Sequence, residues 1–284
     1  MSLADSSTAV ATIVLPTQYY QVFDLDFDRP VPSDGIGGWK TADLPLAVDH
    51  TALVVMHAWD VGTREEFPGW HRVVEYFPRA GQILKGPLAE LLGVARSSPL
   101  KIYHVTAGDF YCRDHPGYQR TAALAAQQPP PETVKEDPVY QQLKDFRVSD
   151  ISLGTHNLLD IEAGFQRLTF PPEARPLPNE DIASNANQLL ALCQRDSVNH
   201  LIYTGFALNW CLLQAGGGML DMVRHGLLCS TIREVVTALE NKETARGELA
   251  KELALWRVAT GFGFVYGLEP FLHALRSLPV RHTA

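Results

Sequence analysis

The sequence alternates between short apolar runs and segments with helical periodicity, and this alternation limits the possible folds more than any other feature. Thr51–His57 (TALVVMH) is apolar and β-branched without alternation, as expected for a strand that is buried on both faces. Arg79–Arg96 follows with leucines at the spacing of a helix face, and Lys101–Thr106 is the next predicted strand. Strands separated by helices of this length predict βαβ crossovers and a mostly parallel sheet with helices on both faces.

The rest of the chain continues the same pattern. A weaker strand is predicted at Phe165–Phe170, and Asn179 is predicted to cap a helix with an apolar stripe from Ile182 to Cys193. The remaining predicted elements are strands at Asn199–Thr204, Leu227–Ser230 and Phe262–Tyr266, an amphipathic helix at Glu243–Val258 with Ala245, Leu249, Leu253 and Trp256 as its apolar face, and a closing helix at Pro270–Leu278.

Two regions do not fit the repeat. Residues 1–50 carry few periodic signals and are predicted to form an N-terminal extension packed on the domain. Residues 51–284 are predicted to form one α/β domain with an insertion at about 107–160, which includes the run QQPPPE at Gln127–Glu132. This insertion is too long for an ordinary crossover loop.

Charge and cysteine usage exclude several classes of partner. The formal net charge is −8 and the pI is about 5.7, so the chain has no basic footprint for nucleic acid or an anionic membrane. No window approaches the roughly 18 apolar residues of a spanning helix, and the N-terminus lacks the positive start of a secretory signal. The four cysteines fit no CxxC pattern, which predicts free thiols in a reducing cytoplasm.

The carboxyl ends of the predicted strands indicate where a ligand would bind. In parallel sheets the binding crevice lies outside these ends. The segments that follow three predicted strands are His57–Asp60, His104–Asp109 and Gly205–Cys211, and all three carry polar or titratable side chains. We therefore expect side chains from these segments to converge.

Cys211 is the sharpest candidate for chemistry. It lies about seven residues past a predicted strand, where the next helix should begin. Backbone amides at a helix start favour a thiolate and can receive an oxyanion. A free cysteine is also among the most buried residue types and commonly serves as a small hydrophobe, which is the simpler interpretation for Cys193 and Cys229.

The run VNHLIYTGFALNWCLLQ resembles the nucleophile segment of the isochorismatase-like cysteine hydrolases, a group that includes nicotinamidase and N-carbamoylsarcosine amidase. TALVVMHAWD resembles their first strand, RAGQILKGPLAELLGVARSSPLKIYHV their first helix and second strand, and GLLCSTIREVVTA the strand after the cysteine helix. The resemblance covers most of residues 50–115 and 160–270. It implies a three-layer, doubly wound, mostly parallel six-stranded sheet in the order 3-2-1-4-5-6, and a homo-oligomer.

The resemblance also implies a set of catalytic residues. The family uses a cysteine nucleophile, an aspartate base at the end of the first strand, and a lysine. Cys211 matches the nucleophile, whereas the aspartate position falls on His57, with Asp60 three residues later. A histidine can act as a base near neutral pH.

The family lysine has no counterpart, because no lysine occurs between Lys144 and Lys242. Arg167 or Arg175 is the nearest cation, and arginine supplies charge but does not transfer a proton. The resemblance further implies a cis peptide at Phe206–Ala207 and an oxyanion site formed by the amides of Ala207 and Cys211.

Other side chains near the expected crevice are predicted to bind substrate. These residues are Trp59, His104, Phe206, Asn209 and Trp210. His57, Asp60, His71 and His104 are conceivable metal ligands, but they lack close His-x-His spacing, so neither a metal nor a cofactor is predicted. Gly216-Gly217-Gly218 is predicted to break the helix after Cys211, since three interior glycines cost roughly 3 kcal/mol relative to alanine.

Two hypotheses on function stay open. The chain is a cysteine hydrolase acting on a small amide-like, ester-like or enol-ether substrate, or a catalytically impaired relative that serves as a binding or assembly module. A doubly wound nucleotide-binding protein is a weaker third idea, because neither GxGxxG nor GxxxxGK[ST] follows a strand. The predicted partner is a small-molecule substrate, without nucleic acid or membrane.

Overall fold

The computed structural model describes residues 11–125, 133 and 135–279. Its strands are β1 (Thr12–Gln21), β2 (Gly38–Ala47), β3 (Thr51–Met56), β4 (Lys101–Val105), β5 (Asp181–Ala183), β6 (His200–Phe206), β7 (Leu228–Thr237) and β8 (Val265–Tyr266). They form one eight-stranded mixed sheet in the order β2-β1-β8-β7-β6-β3-β4-β5.

The α/β fold with a mostly parallel sheet is confirmed, but the six-stranded prediction is wrong for the sheet as a whole. Strands β3 to β8 pair in parallel, in the spatial order β5-β4-β3-β6-β7-β8. Strands β1 and β2 form an antiparallel hairpin, and β1 also pairs with β8, so the N-terminal region extends the sheet by two strands.

The helices are α1 (Pro68–Val73), α2 (Phe77–Ile83), α3 (Ala89–Arg96), α4 (Pro116–Leu124), α5 (Pro138–Phe146), α6 (Leu158–Gln166), α7 (Ala186–Asp196), α8 (Met219–Val223), α9 (Leu249–Gly261) and α10 (Leu268–Arg276). A π-helical turn at Leu84–Leu88 joins α2 to α3, so the predicted helix at Arg79–Arg96 lies within one continuous helical run. No helix among the described residues has the length and apolar character needed to cross a membrane.

Each face of the sheet carries its own hydrophobic core. In β3, Leu53 and Val55 pack into the core covered by α2, α3 and α10, whereas Val54 and Met56 pack into the core covered by α7, α8 and α9. Successive residues of a strand point to opposite faces, so a strand buried on both sides is apolar throughout. This explains why β3 could be predicted from its unbroken apolar run.

The third parallel strand and the helix after it lie elsewhere than predicted. Residues up to Gln166 belong to α6, and Thr169 makes only an isolated bridge to Asp60, so the strand predicted at Phe165–Phe170 is wrong. The third strand is β5. Asn185 rather than Asn179 caps α7, by accepting a hydrogen bond from the Gln188 amide at 3.0 Å.

Two other predictions concern helix boundaries. Helix α9 begins at Leu249 and buries Ala254, Leu255 and Val258, whereas Leu249 and Leu253 are exposed, so the predicted apolar face is wrong. The helix break at the three glycines is confirmed: Gly217 has φ +83°, and α8 begins at Met219.

The predicted insertion contains α4, α5 and the first residues of α6, whereas Gln127–Glu132 lies outside the described residues. Every residue from Pro138 to Val148 is exposed, including the large apolar side chains Val139, Leu143 and Phe146. Helix α5 therefore presents an apolar face that the described part of the chain does not cover.

Candidate active site

Strands β3 and β6 lie side by side and bring two of the predicted segments together at the carboxyl edge of the sheet. Met56 is in register with Gly205, so His57 and Phe206 leave the sheet next to each other. Gly205 has φ +109°, and a Cβ at this position would lie 1.9 Å from the Met56 carbonyl oxygen. Only glycine permits this backbone conformation and this close approach of the two strands.

The turn that carries Cys211 begins with a cis peptide at Phe206–Ala207, which confirms the expectation from the resemblance. A π-helical turn at Leu208–Leu212 follows, and its first and last side chains are buried in the core. The amides of Trp210 and Leu212 donate to the Ala207 carbonyl oxygen at 3.1 and 3.2 Å. These hydrogen bonds fix the backbone of the turn that carries Cys211, just after the end of β6.

Cys211 is the one half-buried thiol of the chain, because Cys112, Cys193 and Cys229 are buried. Burial raises the pKa of the Cys211 thiol, and a hydrogen bond from the Ala207 amide opposes this rise without cancelling it. This amide is one of the two that the resemblance assigns to the oxyanion site. The free thiol is protonated at neutral pH.

His57 is buried beside this turn. Its side chain stacks on Trp59, with ring centroids 4.9 Å apart and an interplanar angle of 20°. Its Nδ1 atom has no hydrogen-bond partner among the described residues. Burial lowers the pKa of His57 to about 4, so the imidazole is neutral at physiological pH.

A cavity of about 50 Å³ opens between these elements. It is lined by His57, by four aromatic residues, and by small or aliphatic residues that lie mostly in α2 and directly after it. The aromatic residues are Trp59, Tyr76, Phe77 and Phe206. Sequence reasoning missed Tyr76 and Phe77, because they lie at the start of α2 rather than at the end of a strand.

Tyr76 connects the cavity with the thiol. It lines the cavity and stacks on Phe206, with ring centroids 6.4 Å apart. Burial, the charge of an ionised Cys211 and the charge of Glu75 raise the pKa of Tyr76 well above its usual range. The phenol therefore stays protonated at neutral pH.

Asp60 and Arg167, which were both predicted to be catalytic, lie together. Arg167 Nη2 is 3.7 Å from Asp60 Oδ2, and Arg167 Nη1 is 3.3 Å from Glu66 Oε2. The guanidinium also lies over the Phe67 ring. Neither residue has a hydrogen bond or ion pair to Cys211 or His57 among the described contacts.

His104, which was predicted to bind substrate, is buried in a structural network. Its Nε2 atom is 2.9 Å from Glu180 Oε2, and Arg96 Nε donates to Glu180 Oε1 at 2.8 Å. Burial opposes ionisation of Glu180, but the hydrogen bonds from His104 and Arg96 outweigh it and lower its pKa to about 2. These contacts occupy the imidazole of His104.

The other predicted substrate-binding residues have different surroundings. Phe206 is buried and lines the cavity, whereas Trp210 is 53% exposed. The Asn209 side chain is engaged with the backbone of Leu239. The conceivable metal ligands do not converge, and no group of three or more His, Cys, Asp or Glu in the described part of the chain is placed to hold a metal ion.

Comparison with known proteins adds a likeness to solved structures. No family model matches the chain, and no curated protein matches it in sequence. A cysteine hydrolase from Pseudomonas syringae pv. phaseolicola is 14% identical with a TM-score of 0.46, covering 82% of this chain and 96% of that one. An isochorismatase family protein from Burkholderia thailandensis is 15% identical with a TM-score of 0.46, covering 81% and 97%.

N-carbamoylsarcosine amidase from Thermoplasma acidophilum is 13% identical with a TM-score of 0.41, covering 77% of this chain and 96% of that one. The resemblance to isochorismatase-like cysteine hydrolases that was predicted from the sequence is thus found again among solved structures, at low sequence identity.

Proposed function

We propose that this chain is a cysteine hydrolase that acts on a small amide-like or ester-like substrate, with Cys211 as the nucleophile. The observation that carries the proposal is the half-buried thiol in the turn directly after β6, the strand that pairs with β3 and therefore ends beside His57. A thiol, backbone donors and a titratable group at one strand edge are the components of acyl transfer.

In the proposed reaction the thiolate sulfur bonds to the carbonyl carbon while the bond to the leaving group breaks. The amides of Ala207 and Cys211 receive the developing oxyanion, and the proton of the thiol passes through His57 to the leaving group. Water then cleaves the thioester and restores the thiol. Asp60 and Arg167 form an ion pair next to the cavity, since Asp60 lies in sequence between the cavity residues Trp59 and Val61.

The proposed hydrolase has an unusual pH requirement. The pKa of Cys211 is raised and that of His57 is lowered to about 4, so proton transfer from the thiol to the imidazole is unfavourable in the free protein. The thiolate must form either at alkaline pH or when a bound substrate supplies hydrogen bonds. We therefore expect turnover to increase with pH above neutrality.

The same two pKa shifts favour a second candidate function. A thiol that stays protonated beside a weakly basic imidazole suits a catalytically impaired relative that binds a small molecule without converting it. In this case the cavity would bind a small molecule, and Cys211 would serve as a packing residue of the turn.

A panel of amides, carbamoyl compounds, esters and enol ethers separates the two candidates. The panel is assayed from about pH 7 to about pH 10, with wild type, Cys211→Ala and Cys211→Ser in parallel. Turnover that requires the thiol and increases with pH supports the hydrolase. Turnover that survives in Cys211→Ala contradicts it, and ligand binding without turnover over the whole pH range favours the binding module.

We further propose that the protein forms a homo-oligomer through α5. Val139, Leu143 and Phe146 are spaced as one helix face and are all exposed. A helix of this length is marginal on its own in water, so docking would stabilise it. The same chain exposes a second apolar surface at Trp210, Leu249 and Leu253, on two elements that pack together, so a second copy supplies a matching face.

We also propose that the protein works in the reducing cytoplasm. All four of its cysteines are free, which suits a compartment that keeps thiols reduced.

A further inference from the structure

A second cavity lies at the amino edge of the sheet, where the parallel strands begin. Lys101 and Asp181, the first residues of β4 and β5, line it together with Arg195 and Asp196 at the end of α7. Its volume is about 250 Å³, room for roughly eight water molecules at about 30 Å³ each. Because β4, β5 and β6 run parallel, and Cys211 follows the carboxyl end of β6, this cavity is separate from the candidate active site.

The carboxylates that line this cavity already have hydrogen-bond donors. They belong to Glu180, Asp181 and Asp196. Each of their six oxygen atoms accepts at least one hydrogen bond, at distances between 2.6 and 3.0 Å, from the side chains of Arg96, Arg120, Arg195 and Tyr103. A cationic ligand would have to compete with these donors.

The cations that line the cavity, in contrast, keep donors without a partner. Lys101 forms no ion pair within the described part of the chain, and its Nζ donates to the backbone carbonyl of Asp49 at 2.6 Å. Arg96 and Arg195 use Nε and Nη2, whereas Nη1 of each makes no hydrogen bond to any described residue. None of these three cationic residues is buried. The cavity therefore favours an anion.

The charges around the cavity sum to a small positive excess. Three carboxylates are opposed by four cations, which are Arg96, Lys101, Arg120 and Arg195. The backbone carbonyls of Asp49 and Arg175 accept hydrogen bonds from these cations, and their side chains add one charge of each sign. The whole chain has a net charge of −8, but at about 0.1 M salt the Debye length is about 10 Å, so remote acidic residues are largely screened.

The spare donors suit a phosphate better than a carboxylate. Arg96 binds both oxygens of Glu180 through Nε and Nη2, and its Nη2 also donates to the Arg175 carbonyl. Arg195 binds both oxygens of Asp196 in the same way, and its Nη2 also donates to Asp181. Neither guanidinium can therefore offer the two parallel bonds that recognise a carboxylate. Single donors from three side chains match the several oxygens of a tetrahedral anion.

Apolar side chains line the rest of the cavity. They are Leu100, Ile102 and Leu177, and Leu177 is 41% exposed. We propose that this cavity binds a small phosphate monoester, with the phosphate at Lys101, Arg96 and Arg195 and the carbon skeleton against Leu177. This ligand site does not depend on the proposed hydrolase function.

Three matched ligands test the proposal. Glycerol 3-phosphate carries a phosphate on a short carbon chain, glycerate carries a carboxylate instead, and glycerol carries no charge. Each is titrated into the full-length protein by isothermal titration calorimetry at about 0.1 M salt in a buffer without phosphate. We expect glycerol 3-phosphate to bind at least about tenfold more tightly than the other two. No binding of glycerol 3-phosphate, or equal binding of glycerate or glycerol, overturns the proposal.

A pair of lysine variants locates the ligand. Lys101→Gln removes one spare donor from the cavity and should weaken the binding of glycerol 3-phosphate about tenfold. Lys242→Gln removes the same charge from an exposed lysine beyond the opposite end of the sheet and should leave binding unchanged. Equal affinities in these two variants, with the fold verified by circular dichroism, overturn the assignment.

A second pair leaves the ion pairs of the cavity intact and adds a negative charge to the surface. Leu177→Glu places a carboxylate beside the bound phosphate and should weaken binding, whereas Leu159→Glu adds it to an exposed position of α6. Equal affinities in this pair overturn the proposal. Cys211→Ala should bind glycerol 3-phosphate as tightly as wild type, and a loss of binding in this variant would place the ligand at the candidate active site and overturn the separate site.

Discussion

The side chain of Asn209 forms a reciprocal pair of hydrogen bonds with the backbone of Leu239. Asn209 Nδ2 donates to the Leu239 carbonyl oxygen at 2.8 Å, and the Leu239 amide donates to Asn209 Oδ1 at 2.9 Å. Leu239 follows β7, the neighbour of β6, so the amide side chain ties the Cys211 turn to the end of the next strand. Asn209 therefore holds the Cys211 turn against the segment that follows β7.

Replacement of Asn209 by alanine leaves two partly buried backbone groups of Leu239 without partners. We expect Asn209→Ala to lower the free energy of unfolding by about 1–3 kcal/mol, measured by urea denaturation. Asn199→Ala is the matched control, since Asn199 is exposed and forms the strand contacts of its segment through its backbone. If the free energy of unfolding decreases no more in Asn209→Ala than in the control, these two hydrogen bonds do not contribute to stability.

The reactivity of Cys211 should follow its raised pKa. Because the thiol is mostly protonated at neutral pH, alkylation by iodoacetamide should accelerate about tenfold per pH unit from about pH 7 to about pH 9. Mass spectrometry should also find Cys211 labelled before Cys193, whose pKa is raised to about 12 by burial. A rate independent of pH near neutrality would indicate a preformed thiolate and contradict this prediction.

The sequence predicted the central strands well because burial on both faces leaves a clear signal. β3, β4 and β6 are short apolar runs, and each lies within a residue or two of its predicted position. β5 has only three residues, and its Ile182 fits the period of the following helix, so strand and helix merged in the prediction.

The N-terminal hairpin was missed for a different reason. In β1, buried Ile13 and Leu15 alternate with exposed Val14, so its outer face is also apolar and the alternation is weak. Pro16 in β1 and Pro45 in β2 also argue against a strand prediction, since proline is uncommon within strands. Their pairing with β8 also joins distant parts of the chain, which local patterns do not reveal.

The candidate site was predicted in part by the same rule of strand ends. Cys211 and His57 were found because each follows a strand at the carboxyl edge. The wall residue Tyr76 approaches from a helix, where no strand end marks it. The pKa values of His57 and Cys211 depend on burial, and the spacing of residues along the sequence does not predict how deeply these two side chains are buried.

The apolar face of α5 should decide the oligomeric state. We expect Leu143→Glu to reduce the molar mass measured by sedimentation velocity, because a charge on this face would have to be buried between copies. Gln141→Glu adds the same charge to the opposite side of α5 and should leave the mass unchanged. If wild type and Leu143→Glu sediment as the same species, α5 is not the contact.

His57 should make the stability of the protein depend on pH between about 4 and 6.5. Its pKa is lowered to about 4 by burial, whereas the unfolded chain has the ordinary value of 6.5, so in this window the unfolded state binds the extra proton. The free energy of unfolding is therefore unaffected by His57 above about pH 6.5. It decreases as the pH falls below this value, by about 3 kcal/mol in total at pH 4. His200 has a similar shift of its pKa and adds to the same dependence of stability on pH.

Urea denaturation from about pH 4.5 to 7 should therefore show that the free energy of unfolding increases less steeply with pH in His57→Phe than in wild type, by about 1 kcal/mol per pH unit. Identical slopes would mean that His57 is solvated or paired in the folded protein.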